Sequence, residues 1–112
     1  MDSLKKNSEF RRVYTRGKSI ATRNLVLYFF PNKTNSSKLG LSISKKIGNA
    51  VTRNKLRRRI KEIVRLKKNI KNGYDFIFIA RKPIVRLEYS DIEKDVNNLI
   101  KRAGLEIKGE KK

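Results

Sequence analysis

Two of the usual carriers of chemistry are missing from this 112-residue chain, which contains no Cys and no His. Their absence removes disulfides, zinc fingers, thiol nucleophiles and imidazole acid–base catalysis together. What remains is thirty Lys and Arg against ten Asp and Glu, a net charge of +20. Among the acids, Asp91, Glu93 and Asp95 have a spacing that a nuclease metal site could use. Their place at the start of a helical pattern explains them better, since carboxylates there offset the positive end of the helix dipole. Asp75, flanked by apolar residues, reads as a structural carboxylate with a partner rather than a base. The basic residues concentrate in residues 44–61, SKKIGNAVTRNKLRRRIK, and Glu62 is the only carboxylate between Lys38 and Gly73. Clustered charge without acidic partners is the electrostatic footprint of phosphate binding. Arg57, Arg58 and Arg59 add forked donors suited to bidentate contact with phosphate. An ordinary solvated helix face would interleave acids with its lysines, and this one does not.

Length and composition set the frame for that segment. A chain of this size holds one hydrophobic core, so residues 1–107 read as one nucleic-acid-binding domain and residues 108–112 as a frayed basic tail. Self-repulsion at +20 weakens a compact state unless a polyanion supplies counter-charge. No apolar run approaches the roughly 20 residues of a membrane-spanning helix, and no apolar signal segment follows Met1-Asp2-Ser3-Leu4-Lys5. The expected setting is the cytoplasm, with nucleic acid rather than a membrane as the partner.

The elements that must position these residues follow from periodicity. Residues 8–16 place Phe10, Val13 and Tyr14 on one face of a short helix, with Asn7 or Ser8 as N-cap and Gly17 as the C-terminal stop. Residues 19–30 are extended, and the polar run after Pro31 is a loop. Residues 38–45 alternate as a strand, with Leu39, Leu41 and Ile43 on one side and Gly40, Ser42 and Ser44 on the other. If Leu25, Leu27 and Phe29 enter the core, Tyr28 shares a face with Gly40 and Ser42, and that face is a shallow groove. Residues 50–67 form the central helix. Leu56, Ile60, Ile63 and Val64 make its core stripe, and Asn54, Arg58, Lys61 and Arg65 line the opposite face with Arg57 beside them. Asn72-Gly73 turns the chain into a strand at residues 74–80, whose apolar run suits a parallel neighbour covered on both faces. After Pro83 a last helix begins at Ser90, with a Ser90–Glu93 capping box, a stripe of Ile92, Val96, Leu99, Ile100 and Ala103, and Gly104 as its end. The expected class is α+β, a small two-layer sandwich in the order α-β-β-(β)-α-β-α with a βαβ crossover.

The run Gly40-Leu41-Ser42-Ile43-Ser44-Lys45-Lys46-Ile47-Gly48-Asn49-Ala50-Val51, followed by Thr52-Arg53-Asn54-Lys55-Leu56-Arg57-Arg58, strongly resembles the signature of the bacterial ribonuclease P protein subunit. The resemblance extends to Glu9-Phe10-Arg11-Arg12-Val13-Tyr14 with Gly17, to residues 21–28, and to Ile79-Ala80-Arg81-Lys82-Pro83. It implies a ribonucleoprotein endonuclease that removes the 5′ leader of precursor tRNA. In that family the RNA subunit is the catalyst and holds the magnesium ions, so no catalytic or metal-ligating residue is expected here. The resemblance assigns Lys45, Lys46, Arg53, Asn54, Lys55, Arg57, Arg58, Lys61 and, on the same face, Arg65 to the RNA subunit. It assigns Phe10, Tyr14, Tyr28 and Ser42 to a cleft for single-stranded leader. One protein per RNA is implied, and DNA is not among the partners. Lys55 and Lys61 stand where the family commonly has Arg, which keeps charge and loses the planar fork. The family's crossover is left-handed, against the general right-handed rule. A ribosomal or RNA-chaperone protein is the alternative with the same charge pattern, and a protein-only nuclease is a third.

Overall fold

The computed structural model describes residues 1–107; the tail expected at 108–112 lies outside the described residues. In chain order the elements are β1 (Asp2–Ser3), α1 (Asn7–Arg16), β2 (Lys18–Ala21), β3 (Leu25–Pro31), β4 (Lys38–Ser42), α2 (Ala50–Leu66), β5 (Tyr74–Ala80), a 3-10 turn (Lys82–Arg86) and α3 (Tyr89–Arg102). The five strands form one sheet in the order β1-β4-β5-β3-β2. β5 lies at its centre, parallel to β4 and antiparallel to β3, so β4, α2 and β5 make the expected βαβ unit.

Burial on both sides explains why β5 is nearly all apolar. One face of the sheet gives Leu25, Leu27, Leu39, Phe76 and Phe78 to the main core, which α2 closes with Leu56, Ile60, Ile63 and Val64. α3 closes the rest with Ile92, Val96, Leu99 and Ile100. Each such side chain contributes about 1.5–3 kcal/mol through removal from water. The other face carries a smaller cluster in which Val13 of α1 meets Leu4 and Ile77. The helices α2 and α3 therefore form one layer on the sheet, and α1 lies alone on the far side.

Several local expectations are corrected. The extended segment 19–30 is two antiparallel strands, broken where the Thr22 hydroxyl accepts the N–H groups of Asn24 and Leu25, each at 3.1 Å. β1 was not expected, since two residues carry no periodicity; it pairs in parallel with β4. Helix α1 is capped from within rather than by Asn7 or Ser8. Its N-cap is Lys6, and Glu9 Oε1 accepts the N–H groups of Lys5 and Lys6 at 2.9 and 3.0 Å. Gly17 does end α1 as its C-cap, its N–H donating to the Val13 carbonyl, but with extended backbone at φ −83° rather than in the left-handed region. It is glycine because a Cβ there would lie 2.5 Å from the Val13 carbonyl oxygen and 2.6 Å from that of Phe29. Helix α3 begins at Tyr89 with Glu88 as N-cap, so the Ser90–Glu93 capping box does not form. Leu87 and Tyr89 pack against the core and draw the start of the helix forward. The C-terminal stop is as expected. Gly104 has φ +76°, and the N–H groups of Gly104 and Leu105 donate to the carbonyls of Lys101 and Ile100.

Candidate nucleic-acid interface

The groove grows out of strand register. Gly40 of β4 stands beside Ile77 of β5, and Ile77 beside Tyr28 of β3, so the three form one row across the face under α1. The next row is Ser42, Ile79 and Val26. Helix α1 crosses the first row with Phe10, Val13 and Tyr14. Gly40 is buried beneath the Phe10 ring and does not line an open groove. A Cβ on it would fall 2.8 Å from two Phe10 ring carbons, so glycine is what lets the ring approach the strand this closely.

The four cleft residues expected from the sequence do come together. The Phe10 and Tyr14 rings are tilted at 46° with centroids 6.4 Å apart, and Tyr14 meets Tyr28 edge-on at 5.0 Å. All four are half-buried. The aromatic residues thus serve partly as the small second core and partly as a surface that a planar ring can reach. Burial pushes the Tyr14 phenol above its ordinary value, and the neighbouring Ser42 hydroxyl works against that shift.

Basic residues occupy the opposite side of the sheet. Asn49 caps α2, its side-chain oxygen accepting the Thr52 N–H at 2.9 Å, and no acid stands in the first turn. Asn54, Lys55, Arg58, Lys61 and Arg65 are exposed, as are Lys45 and Lys46 in the preceding loop. Arg65 pairs with Glu62 at 3.5 Å. Two residues differ from a simple solvent face. Arg53 is half-buried and donates from Nε to the Gly48 carbonyl at 3.1 Å, which fixes the loop before the helix. Arg57 is also half-buried, and its Nε is buried with no hydrogen-bond partner. Glu9, which sequence reasoning passed over, also belongs to the groove. Its Oε2 accepts from Lys38 Nζ at 3.0 Å, tying α1 to β4. The spacing from Lys6 to Glu9, a reach back over three residues at a helix start, was the available signal.

The acids Asp91, Glu93 and Asp95 do not form a metal site. Asp95 Oδ2 accepts from the Thr22 hydroxyl at 2.8 Å and from Asn24 Nδ2 at 2.9 Å, fastening α3 to the β2–β3 turn. Among the described residues no three acidic groups converge as metal ligands would. Asp75, 2% exposed, accepts from Asn32 Nδ2 at 2.8 Å, as a structural carboxylate should. No helix among the described residues is long and apolar enough to cross a membrane.

An aromatic groove on one face of a sheet and a cationic helix on the other define a small basic α+β protein whose working surfaces suit a phosphate-bearing polymer. Comparison with known proteins makes the assignment specific. Residues 1–104 match the family model described as Ribonuclease P. The chain is 50% identical over 106 residues to the "Ribonuclease P protein component" of Clostridium botulinum (strain Loch Maree / Type A3), covering 93% of this chain and 96% of that one. It is 49% identical over 106 residues to that of Clostridioides difficile (strain 630), covering 93% of each. The solved structure of the Staphylococcus aureus RNase P protein superposes with a TM-score of 0.88 at 38% identity, over 94% of this chain and 97% of that one. The Thermotoga maritima protein gives 0.83 at 32% identity, over 97% of this chain and all of that one. The chain belongs to the ribonuclease P protein family, the protein component of a ribonuclease of tRNA processing.

Proposed function

We propose that this chain is the protein half of a ribonucleoprotein, in which an RNA subunit cuts and the protein holds. The exposed face of α2, with Asn54, Lys55, Arg58, Lys61 and Arg65, docks on the catalytic RNA together with Lys45, Lys46, Arg53 and Arg57. The groove of Phe10, Tyr14, Tyr28 and Ser42 takes the single-stranded 5′ leader of precursor tRNA. The observation that carries this reading is the continuity of residues 40–61. Ser42 lies in the aromatic groove, and the next residues of the same segment are Lys45, Lys46 and the start of α2. One continuous stretch can therefore register a substrate strand against a second RNA.

Chemistry on the phosphodiester is left to the RNA subunit. Removal of the leader requires activated water and stabilisation of a departing oxygen, work suited to magnesium ions held by RNA phosphates. This chain has no His or Cys, and among its described residues Glu9, Asp75 and Asp95 are engaged by structural partners and no three acids converge, so its donor set does not suit a catalytic metal pair. Its contribution is to position. Phosphate contacts give affinity without sequence, and stacking on Phe10, Tyr14 and Tyr28 tolerates any base, so many precursors are served. The complex works in the cytoplasm, with one protein per RNA.

Purification of the chain from a bacterial host at low salt tests the reading. One discrete RNA of ribozyme size should accompany it. Bulk RNA of all lengths would instead favour a general RNA chaperone.

A further inference from the structure

We infer that Glu9 and Lys38 form a positioning pair that sets the width of the groove, and that Lys38 therefore spends its charge inside the protein rather than on RNA. The inference rests on the leader-groove reading above and names a control that the reading does not contain.

Glu9 is saturated. One oxygen takes the N–H groups of Lys5 and Lys6, and the other takes Lys38 Nζ at 3.0 Å. Its side chain is 17% exposed, and these partners hold its pKa down to about 2. The carboxylate is thus both the cap of α1 and the bolt between α1 and β4. Lys38 stands on β4 two residues before Gly40, on the same face, so the bolt lies about 7 Å along the strand from the place where Phe10 rests. Phe10 directly follows Glu9, and the Cβ that Gly40 lacks would meet its ring at 2.8 Å. At the other end of α1, Gly17 holds helix and sheet in backbone contact, with the Val13 and Phe29 carbonyl oxygens 2.5 and 2.6 Å from where its Cβ would lie. The chain entering α1 is also held by β1, which pairs with β4, and by the Leu4 N–H, which donates to the Leu39 carbonyl at 2.9 Å, but among the described residues the ion pair is the one polar tie from the helix's own first turn to the strand. Releasing it loosens the first turn of α1, and with it the placement of Phe10, while Val13, packed with Leu4 and Ile77, keeps the helix on the sheet beside Tyr14 and Tyr28.

A positioning role differs from a phosphate contact in what it moves. A lysine on phosphate changes the salt dependence of RNA binding when it is removed. A lysine that shapes the groove changes the preference for leader-bearing over leaderless tRNA and leaves the salt slope alone. The test uses the reconstituted complex of the full chain with a bacterial ribonuclease P RNA. It compares Glu9→Gln, Lys38→Met and the double variant, with Tyr28→Ala as control. Each single variant should lower the preference for a long-leader precursor by about fivefold, as a displaced stacking partner would. The double variant should lose no more than either single, since both break the same contact. Lys38→Met, at a side chain 39% exposed, should leave the protein folded and the salt slope unchanged. A slope reduced by about 0.7 would make Lys38 a phosphate contact and overturn the inference. Equal losses for leader-bearing and leaderless substrates would also overturn it, as the mark of a purely structural pair. Loss of preference in Tyr28→Ala with none in Lys38→Met would keep the groove and discard the bolt. No loss in Tyr28→Ala would discard both.

Discussion

The Tyr14 ring meets the Tyr28 ring edge-on, with centroids 5.0 Å apart and planes at 86°. This geometry is favourable in itself, and both rings are half-buried, so part of each stays accessible. Tyr28→Ala should remove the platform and weaken binding of long-leader precursor by roughly 1–3 kcal/mol, the range for loss of one base–aromatic stack. Binding of leaderless tRNA should hardly change. Tyr28→Phe should retain most of the affinity, because the face and not the hydroxyl does the stacking. Equilibrium binding with matched substrates of two leader lengths checks both.

Two closely packed glycines, Gly17 at the end of α1 and Gly40 beneath it, separate stability from function. At Gly17 a methyl would strike backbone, the carbonyl oxygens of Val13 and Phe29 at 2.5 and 2.6 Å. Gly17→Ala should cost about 1–3 kcal/mol of stability, the usual range for overpacking against atoms that cannot move aside. At Gly40 the obstacle is the tip of the Phe10 ring, which can swing away. Gly40→Ala should therefore melt closer to the parent protein yet lose leader affinity. Thermal unfolding and leader binding, measured on both variants, should rank them in opposite orders.

Arg58 projects from the exposed face of α2 and has no partner in an ion pair among the described residues. Arg58→Ala should weaken association with the RNA subunit and reduce the slope of log K against log salt by about 0.9, one phosphate contact's worth on duplex. The preference for leader-bearing substrate should survive. A titration of binding against salt concentration shows whether the slope changes.

Acid should act through Glu9. Its pKa is lowered from 4.5 to about 2, first by the backbone N–H groups of Lys6 and Lys5 and then by Lys38. A depressed carboxylate binds protons more readily when unfolded, so its stabilising contribution is full above the unfolded value and is lost as pH falls toward the folded one. The stability gap between the parent protein and Glu9→Gln should thus be constant from neutral pH to about 5 and close between about 4.5 and 2. Unfolding midpoints across that range give the gap directly.

Much of this molecule can be read from its letters, and the reasons for the exceptions are physical. The α2 stripe of Leu56, Ile60, Ile63 and Val64 is legible because helical period and burial coincide. The sharing of a face by Tyr28, Gly40 and Ser42 is legible because strands alternate strictly, and the register bears it out. Long-range polar ties are not legible in this way. Nothing in the spacing of Asp95 from Thr22 and Asn24, across 73 and 71 residues, announces their hydrogen bonds. Glu9 shows the same limit: its capping role is local and readable, whereas its bond to Lys38 spans 29 residues. Gly17 ends α1 where its spacing says it should, but what requires glycine there is a close backbone approach, which leaves the same letter in the sequence as a left-handed turn does.

The most direct measurement is cleavage of a precursor tRNA by a bacterial ribonuclease P RNA at magnesium concentrations where the RNA alone is nearly inactive. Addition of the purified chain should restore formation of the mature 5′ end, with greater stimulation for longer leaders and no cleavage when the RNA is left out. Absence of stimulation, or cleavage by the chain alone, would contradict the division of labour proposed for it.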